Sequence, residues 1–281
     1  MNPCIIYAQT FKHTSLYTPY TGIGYALCKQ LATKDNCLVL LTARNPDRGQ
    51  NAVDTIRKLG GSVEFIPLDT CDETSIKNAA KATKDILSEK KLYGIVNNAG
   101  IGINTGISNE LMLKTNLYGP KLVCENFLDL LDPENGRIVN LGSGGGPSYV
   151  SGVRSKEDLK ILCSPDSEEC TWEWIENYAH KNIENGYGFT KAMLACYTGL
   201  FAREHPNIKT SCVTPGYILT QMTDGYGATK SPEEGLVSIR KALFDDLPGN
   251  GWYYGSDGER SPYHFMRSPG EPVYDGVNPY L

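Results

Sequence analysis

Tyrosine followed four residues later by lysine occurs three times, as Tyr25/Lys29, Tyr187/Lys191 and Tyr226/Lys230. On a helix this spacing puts the phenol and the ammonium on one face. A nearby cation favours the phenolate, so such a tyrosine can donate or accept a proton near neutral pH. Because the chain has 17 tyrosines, chance matches are expected. The spacing predicts acid–base chemistry but does not choose among the three pairs.

Glycines and small polar residues indicate a second kind of chemistry, the binding of a phosphate-bearing ligand. Gly22-Ile23-Gly24 precedes a helical pattern, where bare N–H groups can hold an anion, although a glycine pair there is more often a plain turn. Asn97-Asn98-Ala99-Gly100 follows an apolar run and is a second candidate for such binding. The alternative interpretation is a polar turn at the end of a strand. Ser143 follows another apolar run, at the strand end where α/β sheets bind ligands. The alternative interpretation is a serine in a glycine-rich turn.

The elements that would position these residues alternate along the chain. Apolar runs typical of strands buried on both faces lie at 37–42, 63–68, 93–97, 137–141 and 209–214. Helical patterns lie at 22–32, 50–59, 74–87, 111–131, 187–204 and 232–244. Strands alternating with helices indicate βαβ units, so we expect a Rossmann-type, doubly wound parallel sheet of the α/β class. Without a linker, residues 1–281 are predicted to form one domain.

Composition excludes several classes of protein. The net charge is −5, no Lys/Arg cluster is long enough for a nucleic-acid partner, and no apolar run approaches the roughly 20 residues that span a membrane. Nine cysteines without a CxxC pair, and four histidines not spaced with them, predict no metal site. Without a signal-peptide pattern we expect reduced thiols and a cytoplasmic location, with organellar targeting left open. A Gly-x-Ser-x-Gly elbow is missing, which argues against a hydrolase.

Eight segments in order resemble the short-chain dehydrogenases/reductases, and among them the carbonyl-reductase-like members. Besides the glycine pair and Asn97–Gly100 they are Thr42-Ala43-Arg44, Leu68-Asp69, Lys114-Thr115-Asn116-Leu117-Tyr118-Gly119, Ile138-Val139-Asn140-Leu141-Gly142-Ser143, Tyr187-Gly188-Phe189-Thr190-Lys191 and Thr214-Pro215-Gly216-Tyr217. The resemblance runs over about residues 22 to 222. It selects Tyr187/Lys191 and makes the other two pairs chance matches.

The resemblance implies a role for each catalytic candidate. Tyr187 would act as general acid toward a carbonyl or as base toward an alcohol, and Ser143 would hydrogen-bond the same oxygen. Lys191 would lower the pKa of Tyr187 and bond the nicotinamide ribose, and Asn116 would hold a water that links Lys191 to solvent. The implied cofactor-binding residues are Gly22, Ile23, Gly24, Arg44, Asp69, Asn98, Ala99, Gly100, Tyr187, Lys191, Pro215, Gly216 and Thr220.

The end of the second strand indicates which cofactor is used. NAD-binding proteins usually place an acid there for the ribose 2′-OH, whereas arginine suits a 2′-phosphate. This chain has Arg44 at that point, with Arg48 four residues on and Asp47 between them. Charge therefore favours NADP(H) over NAD(H), with a solvated arginine as the plainer interpretation.

The N-terminal segment departs from the family pattern. The family's Thr-Gly-x-x-x-Gly-x-Gly turn would start at Tyr17 and Thr18, and a side chain at position 18 would stand where backbone should touch pyrophosphate. Residues 13–16 make a poor strand, whereas 4–8 make a better one with a longer loop. Either the phosphate site is degraded, or 4–8 is the first strand and the loop wraps differently, or these residues are not the natural start.

Two further segments look like additions to the core. Ser143 and Tyr187 are separated by 44 positions, and the insertion at about 148–183 predicts two short helices that cover the face other members use to oligomerise. We therefore expect a monomer. Trp172 and Trp174 either pack this insertion onto the core or line a pocket, and packing is the plainer interpretation. Gly251 to Gly255 predicts a last strand, and the tail at 251–281 either helps to build a pocket or wraps the surface.

Three hypotheses on function follow. The first is NADPH-dependent reduction of a small ketone or aldehyde, with Tyr187 as the general acid. The second is a catalytically impaired binding protein of the same fold, because the Thr-Gly turn is missing. The third is an NAD-linked alcohol dehydrogenase, which Arg44 argues against. The sequence does not name the substrate or the direction of the reaction.

Overall fold

Seven parallel strands form one sheet in the computed structural model, which describes residues 3–7, 22–102 and 106–281. They are β1 (Pro3–Tyr7), β2 (Leu38–Ala43), β3 (Val63–Pro67), β4 (Gly94–Asn97), β5 (Arg137–Leu141), β6 (Lys209–Val213) and β7 (Tyr253–Tyr254). The strand order is β3-β2-β1-β4-β5-β6-β7, and neighbouring strands are parallel throughout. The order reverses between β1 and β4, the place where doubly wound sheets bind ligands. The predicted Rossmann-type fold is confirmed.

Helices cover both faces of the sheet. They are α1 (Ile23–Thr33), α2 (Pro46–Lys58), α3 (Glu73–Leu87), α4 (Asn109–Leu113), α5 (Gly119–Phe127), α6 (Gly145–Ser151), α7 (Lys156–Leu162), α8 (Trp172–Lys181), α9 (Gly186–Glu204) and α10 (Val237–Phe244). Asn45 and Asp72 cap α2 and α3 by accepting hydrogen bonds from backbone N–H groups of the first turn. Within the described residues, no helix is long and apolar enough to cross a membrane.

The two faces of the sheet have separate hydrophobic cores. Side chains alternate along each strand, so that Ile138 of β5 lies in one core and its neighbour Val139 in the other. The first core also contains α3, α5, α7, α8 and α9, and the second contains α1, α2 and α10. The insertion helices α7 and α8 therefore extend the first core instead of forming a separate unit.

The predicted helix at 111–131 is interrupted. It divides into α4, a π-helical turn at Lys114–Tyr118, α5 and a 3₁₀ turn at Leu128–Leu130. Pro120 lies two residues after the π-helical turn and, having no backbone N–H, donates no hydrogen bond to a carbonyl of that turn. Helical periodicity alone did not indicate these interruptions.

The first strand is β1 at Pro3–Tyr7, which pairs with both β2 and β4. This agrees with the alternative that placed it at 4–8, and it excludes 13–16 as the first strand. The chain between Tyr7 and Gly22 is therefore longer than the family turn. Tyr17 and Thr18 lie outside the described residues.

Candidate active site

The candidate catalytic residues follow the carboxyl ends of neighbouring strands. Ser143 comes two residues after β5, and Gly100 three residues after β4. Tyr187 and Lys191 lie in the first turns of α9, which packs across α6. Because the strands are parallel, these ends meet at one edge of the sheet.

Lys191 is a buried cation with a fixed partner. Its side chain is 4% exposed, and Nζ donates a 2.6 Å hydrogen bond to the main-chain oxygen of Leu141, the last residue of β5. Burial lowers the pKa of Lys191 to about 8, and the Cys212 thiol acts in the opposite direction on that pKa. Nζ lies 5.7 Å from the ring centroid of Tyr187. The lysine thus presents a desolvated positive charge to the tyrosine four residues earlier.

Tyr187 is held between Ser143 and a glycine. Burial raises the pKa of the Tyr187 phenol, and a hydrogen bond with Ser143 lowers that pKa in part. A Cβ built on Gly102 would lie 2.1 Å from Cδ2 of the ring, so only glycine leaves room for this ring position. Ser143 Oγ also accepts a 3.1 Å hydrogen bond from the Gly145 N–H, which orients the hydroxyl.

Asn116 lies in the π-helical turn and is fully buried. Its Oδ1 accepts from the Ile101 N–H at 2.9 Å, and its Nδ2 donates to the Ile101 carbonyl at 2.8 Å and to Thr190 Oγ1 at 2.9 Å. Both amide hydrogens are therefore engaged within the protein. A water linked to Asn116 would have to bind its main-chain carbonyl.

The structure separates the three tyrosine–lysine pairs. Tyr187 and Lys191 meet Ser143, and Thr190 between them bonds to Asn116. Tyr25 lies on α1 and packs against the second core, on the other face of the sheet. Tyr226 lies in a turn, is 53% exposed, and its carbonyl accepts a hydrogen bond from the Tyr217 hydroxyl.

The cofactor candidates follow the strand ends on both sides of the point where the strand order reverses. Gly22 is the N-cap of α1, which begins with Ile23 and Gly24, has no side-chain cap and has no acid in its first turn. Arg44 follows β2 and is exposed. Asp69 follows β3, and its carboxylate accepts a hydrogen bond from the Cys71 N–H at 2.9 Å.

The remaining cofactor candidates lie beside the catalytic set. Asn98, Ala99 and Gly100 follow β4, and a Cβ on Gly100 would come within 3.3 Å of Lys191 Nζ and 3.4 Å of Asn116 Oδ1. Pro215 and Gly216 follow β6, and Gly216 has a φ of 90°, which glycine adopts readily. Thr220 lies in the next turn, where its N–H donates to Thr223 Oγ1 at 3.0 Å.

These described residues fit a dinucleotide. An uncapped helix N-terminus without acids suits a pyrophosphate, and backbone at Gly100 and Gly216 leaves room that a side chain would fill. The carboxylate of Asp69 is oriented by the turn at Cys71.

Several residues that shape the site were not predicted. The Leu141 carbonyl, Gly102 and Thr190 contact the catalytic candidates, and Cys212 acts electrostatically on the pKa of Lys191. Thr190 lies between Tyr187 and Lys191, and this position could have identified it. The other three contacts leave no pattern in the sequence, because they join residues that are far apart along the chain.

The two insertion tryptophans pack on the core. Trp172 makes edge-to-face contacts with Tyr118 and Tyr197, with ring centroids 5.7 and 6.1 Å apart. Trp174 stacks on Tyr178 at 4.8 Å. These contacts favour packing of the insertion over a pocket lining.

Comparison with known proteins gives consistent matches. A family model described as short chain dehydrogenase matches residues 16–155. The chain is 32% identical to (+)-neomenthol dehydrogenase of Arabidopsis thaliana, covering 79% of this chain and 88% of that protein. It is 34% identical to carbonyl reductase [NADPH] 1 of Homo sapiens, covering 76% and 84%.

Solved structures with the same fold include salutaridine reductase from Papaver somniferum. It is 27% identical, has a TM-score of 0.73 and covers 90% of this chain and 99% of its own. The NADPH-bound carbonyl reductase from chicken fatty liver has a TM-score of 0.65 at 21% identity, with coverage of 92% and 98%, which supports the fold alone.

Proposed function

The chain belongs to the short-chain dehydrogenase family, and from that membership we propose that it reduces a ketone or aldehyde with NADPH. The observation that carries the proposal is the meeting of Ser143, Tyr187, Lys191 and Asn116 at one edge of the sheet. When bound, NADPH supplies the hydride. The protein's task is to hold the carbonyl and to deliver the proton.

Each side chain has a part in that task. The Ser143 hydroxyl donates a hydrogen bond to the carbonyl oxygen and polarises it as negative charge develops there. Tyr187 donates its phenolic proton to the same oxygen. The nearby ammonium of Lys191 stabilises the phenolate that remains, and it has two further N–H donors besides the one given to Leu141. Tyr187 is then reprotonated from solvent, through a water bound to the main-chain carbonyl of Asn116 and through Lys191.

The preference for NADPH is supported by charge. Arg44 stands at the end of β2 where NAD-binding proteins usually have an acid, and a guanidinium matches a 2′-phosphate. The relative from Homo sapiens carries NADPH in its name, which agrees with this choice.

The test measures NADPH oxidation with a panel of ketones and aldehydes, for the wild type and for Tyr187→Phe. Loss of the acid should lower turnover by about 10²-fold or more. Tyr226→Phe is the matched control, because Tyr226 also precedes a lysine by four residues, and its turnover should stay within about twofold of wild type. Equal activity of wild type and Tyr187→Phe would reject the mechanism.

The binding-protein alternative remains a proposal because of Thr18, which replaces the family's turn glycine. Calorimetric titration with NADPH separates it from the enzyme. Micromolar affinity removes the alternative, and no binding by well-folded protein removes the reductase.

A further inference from the structure

The C-terminal tail returns to the edge of the sheet that carries Ser143. After β7, Ser256 lies beside the loop that follows β6, where a Cβ on Gly216 would be 3.1 Å from Ser256 Cβ. The tail then turns back, and the ring of Tyr263 packs on Tyr253 of β7 with centroids 6.0 Å apart. The tail thus spans from the Gly216 loop toward the Ser143 loop.

Met266 lies against the glycine that follows Ser143. A Cβ built on Gly144 would come within 2.8 Å of Met266 Sδ and 3.4 Å of its Cγ. Met266 is nevertheless 60% exposed, and its neighbour Phe265 is 45% exposed. Two large apolar side chains thus remain open to solvent, and one of them, Met266, lies against the glycine that follows Ser143 in the chain. Methionine adapts to varied apolar shapes because its side chain is unbranched.

An ion pair between the buried Arg267 and the partly exposed Asp257 fixes this stretch of the tail. Arg267 is 8% exposed, and its Nη2 lies 2.5 Å from both carboxylate oxygens of Asp257. Its Nε donates to Ser261 Oγ at 3.1 Å and its Nη1 to the Glu271 carbonyl at 2.7 Å. Together these bonds tie Arg267 to three other residues of the tail, so that Met266 beside it has a defined position. This defined conformation favours a tail that helps to build a pocket over one that only wraps the surface.

We infer that residues 263–267 form a wall of the substrate pocket, in which Met266 contacts the apolar substituent of the carbonyl compound. The Asp257–Arg267 ion pair positions Met266. The inference deepens the proposed reductase function and rests on it for the identity of the ligand. The favoured substrates are ketones and aldehydes with a bulky apolar group, such as an aryl or alicyclic ring.

Equilibrium binding tests the wall without turnover. α-Tetralone, a bicyclic aryl ketone, is titrated calorimetrically into the full chain with saturating NADP⁺, a mixture that cannot reduce it. Met266→Ala should weaken binding by about fivefold, since a methionine contact with an apolar ring is lost. Val277→Ala is the matched control, because Val277 is an exposed apolar residue near the other end of the tail. Equal affinity of Met266→Ala and wild type, or no binding by wild type, overturns the inference.

Turnover separates this inference from the proposed function. If α-tetralone binds in a Met266-dependent way but no carbonyl is reduced with NADPH, the reductase proposal fails and the pocket wall stands. If carbonyls are reduced, Met266→Ala should raise KM for α-tetralone about fivefold and leave kcat, and both constants for propanal, within about twofold. An equal change for both substrates contradicts a contact with the apolar group.

A double-mutant comparison tests the ion pair. Asp257→Asn should raise KM for α-tetralone as Met266→Ala does, and the double variant should be no worse than Met266→Ala alone, because both changes remove the same contact. Effects that add would mean that Asp257 does not act through Met266. Met266 is exposed and its replacement should fold, so the wall is tested even if Asp257→Asn unfolds.

Discussion

Lys191 is buried although it can carry a positive charge, and its surroundings stabilise that charge only in part. Only one of its three N–H donors is given to the Leu141 carbonyl, and the apolar surroundings lower the pKa of Lys191 to about 8. Near neutral pH the side chain therefore stays mostly protonated, at a cost to the folded state. A dinucleotide and a carbonyl compound bound here would meet a charge that has already lost its water.

Lys191 should make stability rise with pH. The pKa of Lys191 is about 8 in the folded protein, against 10.5 for a lysine exposed to water in the unfolded chain. Between pH 8 and pH 10.5 the unfolded chain therefore binds more protons than the folded protein. The destabilising effect is full below pH 8 and is lost as the pH approaches 10.5. In the absence of cofactor, the unfolding free energy of wild type minus that of Lys191→Met should grow by roughly 2 kcal/mol from about pH 7 to about pH 9.5. Urea unfolding measures it, and a difference that is constant with pH contradicts it.

Arg44 should determine the choice between the two cofactors. A charge-assisted bond to the 2′-phosphate contributes about 1.5–3 kcal/mol, so Arg44→Ala should raise the Kd for NADPH by roughly 10- to 100-fold. The Kd for NADH, which lacks that phosphate, should change little. Arg57→Ala is the control, because Arg57 lies on the same helix–strand unit and pairs with Glu64 at 2.6 Å. An unchanged Kd for NADPH would assign the phosphate to another group, with Arg48 the next to test.

At the scale of elements, the π-helical turn holds the site together. Asn116 joins the segment after β4 to α9, through Ile101 and Thr190. The side chain that makes these contacts lies in the π-helical turn, a feature that is frequent at functional sites. Helical periodicity predicted the helix at 111–131 but could not indicate its break, because the break serves a contact 74 positions away.

Removing that junction should destabilise the protein. Asn116→Ala leaves the buried N–H and carbonyl of Ile101 without partners, which should lower the unfolding free energy by about 2–4 kcal/mol. Asn126→Ala is the control, since among the described residues Asn126 donates to the Leu122 carbonyl of its own helix and to no other group, and the variant should lose about 1 kcal/mol or less. Urea unfolding measures the free energy that each variant loses. Equal losses would contradict the prediction that the hydrogen bonds of Asn116 to Ile101 and Thr190 contribute more than the single bond of Asn126.

Pairing with neighbouring strands determines which segment forms the first strand, before α1. Both 4–8 and 13–16 could be weighed as the first strand from composition alone. Pairing on both sides, with β2 and with β4, selects Pro3–Tyr7. In parallel sheets the central strands are covered on both faces, and an apolar sequence such as 4–8 suits that position better than 13–16.

At the scale of the whole molecule, the insertion and the tail enclose the core. Every residue of 189–202 in α9 is buried, with the sheet on one side and the insertion on another. A Cβ on Gly199 would lie 2.7 Å from the carbonyl carbon of Pro165, so the insertion contacts this helix closely. The tail is tied to the insertion, since Asn278 Nδ2 donates to the Lys160 carbonyl at 3.0 Å and to Ser164 Oγ at 2.8 Å.

We therefore predict a monomer in solution. The helical face that would pair with a second copy is covered, and a dimer would have to displace the insertion. Light scattering after size exclusion should give a mass of 30.9 kDa that does not depend on concentration. Twice that mass would contradict the prediction.

The sequence by itself determined that strands and helices alternate along the chain and that the sheet is parallel, and the family resemblance selected Tyr187/Lys191 as the catalytic prediction. Periodicity and short segments report contacts between residues that are close in the chain. The tertiary structure alone decided that Leu141 holds Lys191, 50 positions away, that Gly102 makes room for Tyr187, and that Met266 lies on Gly144. These contacts depend on how distant segments meet across the sheet edge, and that meeting follows from strand order and packing, which no local pattern encodes.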